Sequence, residues 1–122
     1  MIKEIAFTAY PSQDVAALRA WYEANLGLKF IAPYSEEGVE QYNESNVGGG
    51  YFAIMNHLWM QQPVGSGAGV GFEVDDLDKR LAELKAKGIE ADDPYITPVC
   101  KISTIRDLEG NKVILHQITV PH

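Results

Sequence analysis

Apolar residues recur at intervals of three and four after Asp14. Val15, Leu18, Tyr22 and Leu26 fall on one face of a helix that Gly27 closes. The pattern returns after Asp75, where Leu77, Leu81 and Leu84 form a second buried stripe that ends at Gly88. The Asp-to-Gly interval is 13 residues both times, and the two units start 61 residues apart in a chain of 122. Asp75 and Asp76 sit where a helix start favours negative charge, and Lys85 and Lys87 where its end favours positive charge. Around the helices the pattern becomes β-rich. Strands are expected at 2–10, 28–34, 39–43 and 51–55, and again at 69–74, 95–97, 99–106 and 112–119. Turns fall at 35–38, 48–50 and 107–111, and a Pro- and Gly-containing linker at 62–67. The order β-α-β-β-β is therefore written twice, as module one over 1–61 and module two over 68–122, within one domain of α+β class.

Composition narrows the picture by exclusion. Apolar content of 46% in 122 residues suffices for one core. Lys and Arg number 10 against 17 Asp and Glu, a net charge of −7, which argues against a nucleic-acid or anionic membrane surface and names no substrate. No apolar run approaches the roughly 18 residues of a membrane span, and the first residues lack the shape of a signal peptide. Cys100 is the single cysteine, so no intrachain disulfide forms and the reducing cytoplasm is the expected compartment.

Three segments carry a resemblance. Gln13-Asp14 leads through Trp21-Tyr22 to Leu26-Gly27-Leu28. Val70-Gly71-Phe72-Glu73-Val74-Asp75-Asp76-Leu77 leads to Lys87-Gly88-Ile89. Arg106-Asp107-Leu108-Glu109-Gly110-Asn111 leads to Leu115-His116-Gln117. In this order and spacing, over nearly the whole chain, they resemble the vicinal oxygen chelate superfamily, the glyoxalase and bleomycin-resistance fold. Leu108 stands where the family's turn has proline. The resemblance implies two βαβββ modules curling into an open mixed sheet, a ligand cleft between them, and a homodimer. Metal-dependent members hold a divalent ion on four side chains, usually His or Gln, Glu, His and Glu, and use it as a Lewis acid. Here those positions fall on Phe7 (or Ala6), near Ala53, on Gly69 and on Ile114. None offers a side-chain lone pair, so no metal ligand and no cofactor is expected.

Strand alternation puts Gly69, Gly71 and Glu73 on one face, and Ile114 and His116 on one face. Glu73 and His116 are thus the titratable candidates for polar anchoring or acid–base work; the plainer alternative is a structural pair. Cys100 is a candidate ligand contact on the sheet wall, with a nucleophile and a small buried hydrophobe as its two readings. Tyr42, Tyr51, His57, Trp59 and Met60 could border the cleft or simply pack. The expected ligand-binding set is Phe7, Ala53, Met55, Gly69, Gly71, Glu73, Cys100, Ile114 and His116. The expected function is metal-independent binding of a small molecule, with no nucleic-acid or membrane partner. The alternatives are a metal-dependent lyase, isomerase or dioxygenase of glyoxalase type, which would need a divalent ion, and a protein-interaction module without small ligand.

Overall fold

The computed structural model describes residues 1–120; residues 121–122, which end module two and include His122, lie outside the described residues. The elements are β1 (Thr8–Ser12), α1 (Val15–Leu26), β2 (Tyr34–Glu36), β3 (Val39–Val47), β4 (Gly50–Asn56), α2 (His57–Met60), β5 (Val70–Glu73), α3 (Leu77–Ala86), β6 (Tyr95–Ile96), β7 (Cys100–Arg106) and β8 (Lys112–Ile118). They form two mixed four-stranded sheets of like design, β1-β4-β3-β2 (sheet 1) and β5-β8-β7-β6 (sheet 2). The pair β1–β4 and its counterpart β5–β8 are parallel, and the rest antiparallel. Among the described residues no helix is long and apolar enough to cross a membrane.

Local chemistry explains most boundaries. The Asp14 carboxylate accepts the Ala17 N–H at 3.1 Å and starts α1. Asp76 does the same for α3 through Lys79, while Asp75 turns away to pair with Arg80 at 3.0 Å. Glu37 and Gly38, with φ of 51° and 79°, make the two-residue turn between β2 and β3.

Four expectations need correction. The first strand is 8–12, not 2–10. Its partner β4 begins at Gly50, so residues before about position 6 run past the end of the ladder. It continues through Pro11 because β1 is an edge strand, where a missing N–H is tolerated. Residues 28–34 do not make a full strand either. The Asn43 side chain intercepts the Ala32 N–H at 3.0 Å, leaving an isolated Phe30–Ser45 bridge and the short β2. The third strand extends beyond Asn43 to Val47. Finally, the one-turn helix α2 was unforeseen; Asn56 caps it by accepting the Leu58 N–H at 2.8 Å.

The two modules share one core. Phe52 of β4 meets Tyr10, Tyr22 and Phe30 of its own module at centroid distances of 5.2, 5.1 and 6.3 Å, and Phe72 of module two at 5.4 Å. Tyr10 reaches from β1 to the start of sheet 2, where its hydroxyl donates to the Lys112 carbonyl and accepts from the Gly69 and Val70 N–H groups. The Tyr22 hydroxyl donates to buried Asp107 at 2.6 Å. Burial first, and then that carboxylate, push the Tyr22 hydroxyl far above the ordinary tyrosine range. The loop between β7 and β8 also grips the start of α1, since Glu109 accepts from the Ser12 hydroxyl at 2.6 Å and the Gln13 N–H at 2.9 Å. Each sheet therefore has an inner face, turned to its helix and the shared core, and an outer face left to other uses.

Candidate functional site

Register fixes which residues occupy the outer faces. On sheet 2, Gly71 pairs with Ile114 and Glu73 with His116; across β8, Ile114 pairs with Thr104, His116 with Ile102 and Ile118 with Cys100. These side chains share the outer face because Phe72, Val113, Leu115 and Ile105 take the core face. Five of the residues expected from sequence to contact ligand are thus brought together: Gly71, Glu73, Cys100, Ile114 and His116. Gly69 precedes β5 beside them. A Cβ built there would lie 3.5 Å from the Ile114 Cδ1, and one on Gly71 would meet nothing nearer than 3.9 Å. The two glycines bring no side chain of their own to this face and leave a bare strip beside Ile114, called the recess below.

Two polar groups stand at the recess. The Glu73 carboxylate lies 2.6 Å from the His116 Nδ1, and its other oxygen accepts the Ile118 N–H at 2.7 Å. The carboxylate anchored on backbone orients the ring and favours the Nδ1–H form, which makes Nε2 the acceptor in the neutral imidazole. Both groups are partly exposed, so the pair fixes a position more than it stabilises the fold. Cys100 is half-buried with its Sγ 3.1 Å from the Thr97 Oγ1.

On sheet 1, Ala53 pairs with Ala9 and Glu44, and Met55 with Pro11 and Tyr42. Phe7 leads into β1, and its ring meets the Tyr42 ring edge-on at 5.8 Å. Tyr34, paired with Tyr42, meets Trp59 of α2 at 5.9 Å. Of the remaining expected contacts, Phe7 and Met55 lie on a surface rich in aromatic rings, while Ala53 is fully buried beneath it and presents nothing to a ligand. Tyr42 donates to the Glu44 carboxylate at 3.3 Å, and burial, then Glu44, push its hydroxyl up to about 12. Sequence reasoning missed Glu44 because it ended this strand at Asn43. The alternation of Tyr42, Glu44 and Asn46 was the signal available.

The expected set thus divides between two faces. Among the described residues no hydrogen bond, ion pair or ring contact joins the outer face of sheet 1 to that of sheet 2. A groove of about 630 Å³ does open where the modules meet, but its apolar floor is inner-face: Leu26, Leu28, Val47, Phe72, Leu84 and Leu115.

The positions where the resemblance places metal ligands, Phe7 (or Ala6), near Ala53, Gly69 and Ile114, carry side chains with no donor atom. Among the described residues no three His, Cys, Asp or Glu side chains gather as a metal site would require. The residues present do not fit the four-ligand divalent centre.

The sequence model of the Glyoxalase/Bleomycin resistance protein/Dioxygenase superfamily matches residues 4–115. The chain belongs to this superfamily. Solved structures share the superfamily fold with it. TnmS3, an antibiotic binding protein from Streptomyces sp. CB03234, gives a TM-score of 0.79 at 19% identity over 97% of this chain and 98% of that one. Lactoylglutathione lyase from Agrobacterium tumefaciens gives 0.76 at 21% identity over 95% and 94%. The fosfomycin resistance protein FosX from Mesorhizobium loti gives 0.66 at 17% over 98% and 96%. No curated protein shows a significant sequence match. At these identities the likeness is one of fold, and the chemistry rests on this chain's own residues.

Proposed function

We propose that this member of the superfamily binds a small molecule with an apolar, ring-bearing body, without a metal ion, against the outer faces of its sheets. A second copy completes the site, laying sheet 1 of one protomer over sheet 2 of the other. The observation that carries this reading is the side-chain-free strip at Gly69 and Gly71, beside Ile114 and flanked by the anchored Glu73–His116 pair. Such a recess gives an apolar body room and offers few, placed polar groups, the usual composition of a ligand site. The homodimer is supported by large side chains left uncovered on both sides, among them Phe7 and Tyr34 near sheet 1 and Tyr95 and Ile118 on sheet 2. The fold shared with an antibiotic binding protein supports a ligand of drug-like size. A lone cysteine, with no disulfide to form, suits a cytoplasmic setting.

The test is Gly71→Val, read by saturation-transfer NMR with naphthalene and quinoline fragments in the presence of EDTA. Gly71 has an ordinary negative-φ backbone and an open Cβ position, so stability is expected to hold within about 0.5 kcal/mol. Fragment binding is expected to fall by about tenfold or more, because the added methyls occupy the recess. Unchanged binding in the variant, or binding only after a divalent ion replaces EDTA, would contradict the reading.

A further inference from the structure

Charge on sheet 1 is one-sided. Its four strands contain Glu36, Glu40 and Glu44 and not one Lys, Arg or His. Glu40 is neutralised from the helix side by a two-pronged bond from Arg19, at 3.1 and 3.0 Å. Glu44 is different. It is half-buried on the outer face, and its side chain takes one hydrogen bond, from Tyr42 at 3.3 Å. Glu23 and Glu40 have Arg19, and Asp107 and Glu109, which also lack a cation, each accept several hydrogen bonds; among the described residues no cation pairs with Glu44, and its side chain has the single bond from Tyr42. Beside it stand the Tyr42 ring, which the Phe7 ring meets edge-on, and the small, fully buried Ala53, its direct neighbour on β4.

A carboxylate drawn out of water without a counter-charge is costly unless something compensates it. Aromatic faces attract cations through their quadrupoles, and most strongly where water is thin. We propose that Glu44, with the Phe7 and Tyr42 rings, forms a subsite for the positively charged nitrogen of the ligand: an ammonium, or a protonated aromatic amine. The inference rests on the reading of the outer faces as ligand-binding surfaces, and it names the ligand's class at one of them. The ligand is then bipolar in its demands, with an apolar body for the glycine recess of sheet 2 and a cationic end for sheet 1.

Two isosteric probes separate charge from shape: phenyltrimethylammonium and tert-butylbenzene, which differ by a quaternary nitrogen in place of a carbon. Each is titrated into the ¹⁵N-labelled full chain and followed by amide shifts. The cation is expected to perturb β3 and β4 around Tyr42, Glu44 and Ala53, and to bind about tenfold more tightly there than the hydrocarbon. In Glu44→Gln, where the amide oxygen still accepts from Tyr42, that preference is expected to vanish and the two affinities to converge. Equal binding of the two probes to the wild-type chain overturns the inference without needing the variant, and so does a preference that survives in Glu44→Gln. In both cases the small-molecule reading stands. If neither probe perturbs either outer face, the inference falls together with the reading beneath it.

Discussion

Asp107→Ala is expected to destabilise the fold by about 3–5 kcal/mol, a large part of the roughly 5–15 kcal/mol that holds a domain of this size. The side chain is 6% exposed and accepts four hydrogen bonds. They come from the Tyr22 hydroxyl at 2.6 Å, from the N–H groups of Glu109 and Asn111 at 2.9 Å each, and from the Asn111 amide at 2.9 Å. Alanine removes all four acceptor contacts and leaves buried donors on both modules unpaired. The damage extends further, because the Asn111 Oδ1 held by this network accepts the Gly67 N–H at 2.7 Å where the linker enters module two. Urea unfolding measures the effect. A shift below about 1 kcal/mol would mean that the β7–β8 turn does not bind the modules together as described.

Phe52→Ala should cost a similar amount, about 3–5 kcal/mol, for a different reason. The ring is 2% exposed and, among the described residues, is the one that touches aromatic side chains of both modules. Its removal leaves a cavity bounded by two sheets, which cannot close on it without moving relative to each other. Calorimetric unfolding is the measurement. A cost near 1 kcal/mol would show that the site collapses freely, and hence that the inner faces are not locked together at this point.

Much of the architecture was legible because it is written in short-range chemistry. The stripes from Val15 to Leu26 and from Leu77 to Leu84, the capping Asp14 and the closing Gly27 need only local geometry, and all lie where the pattern puts them. Failures came where a partner elsewhere decided the outcome. Residues 2–5 have β-forming composition but run past the start of their partner strand β4, and Ala32 lost its ladder bond to the Asn43 side chain. The pairing of Glu73 with His116 could be foreseen as alternation on two strands, and the register confirms them as direct neighbours. The division of the ligand set could not. Alternation tells which residues share a face of one strand; which faces then meet depends on long-range contacts such as Tyr10 with the start of β5. Glu44 escaped for a smaller reason, a strand boundary drawn at Asn43 when β3 runs on to Val47.

The central claim is that the two outer faces meet between copies rather than within one. A nitroxide on Cys100, the single cysteine and a residue of the outer face of sheet 2, tests it most directly. Spin-labelled, unenriched chain is mixed with ¹⁵N-labelled Cys100→Ser chain, so that any broadening is between molecules. The account predicts selective broadening of the Ala9, Ala53 and Met55 amides on sheet 1, with the exposed helix positions Ala20 and Lys79 spared. No intermolecular broadening, or broadening confined to the helices, would contradict it.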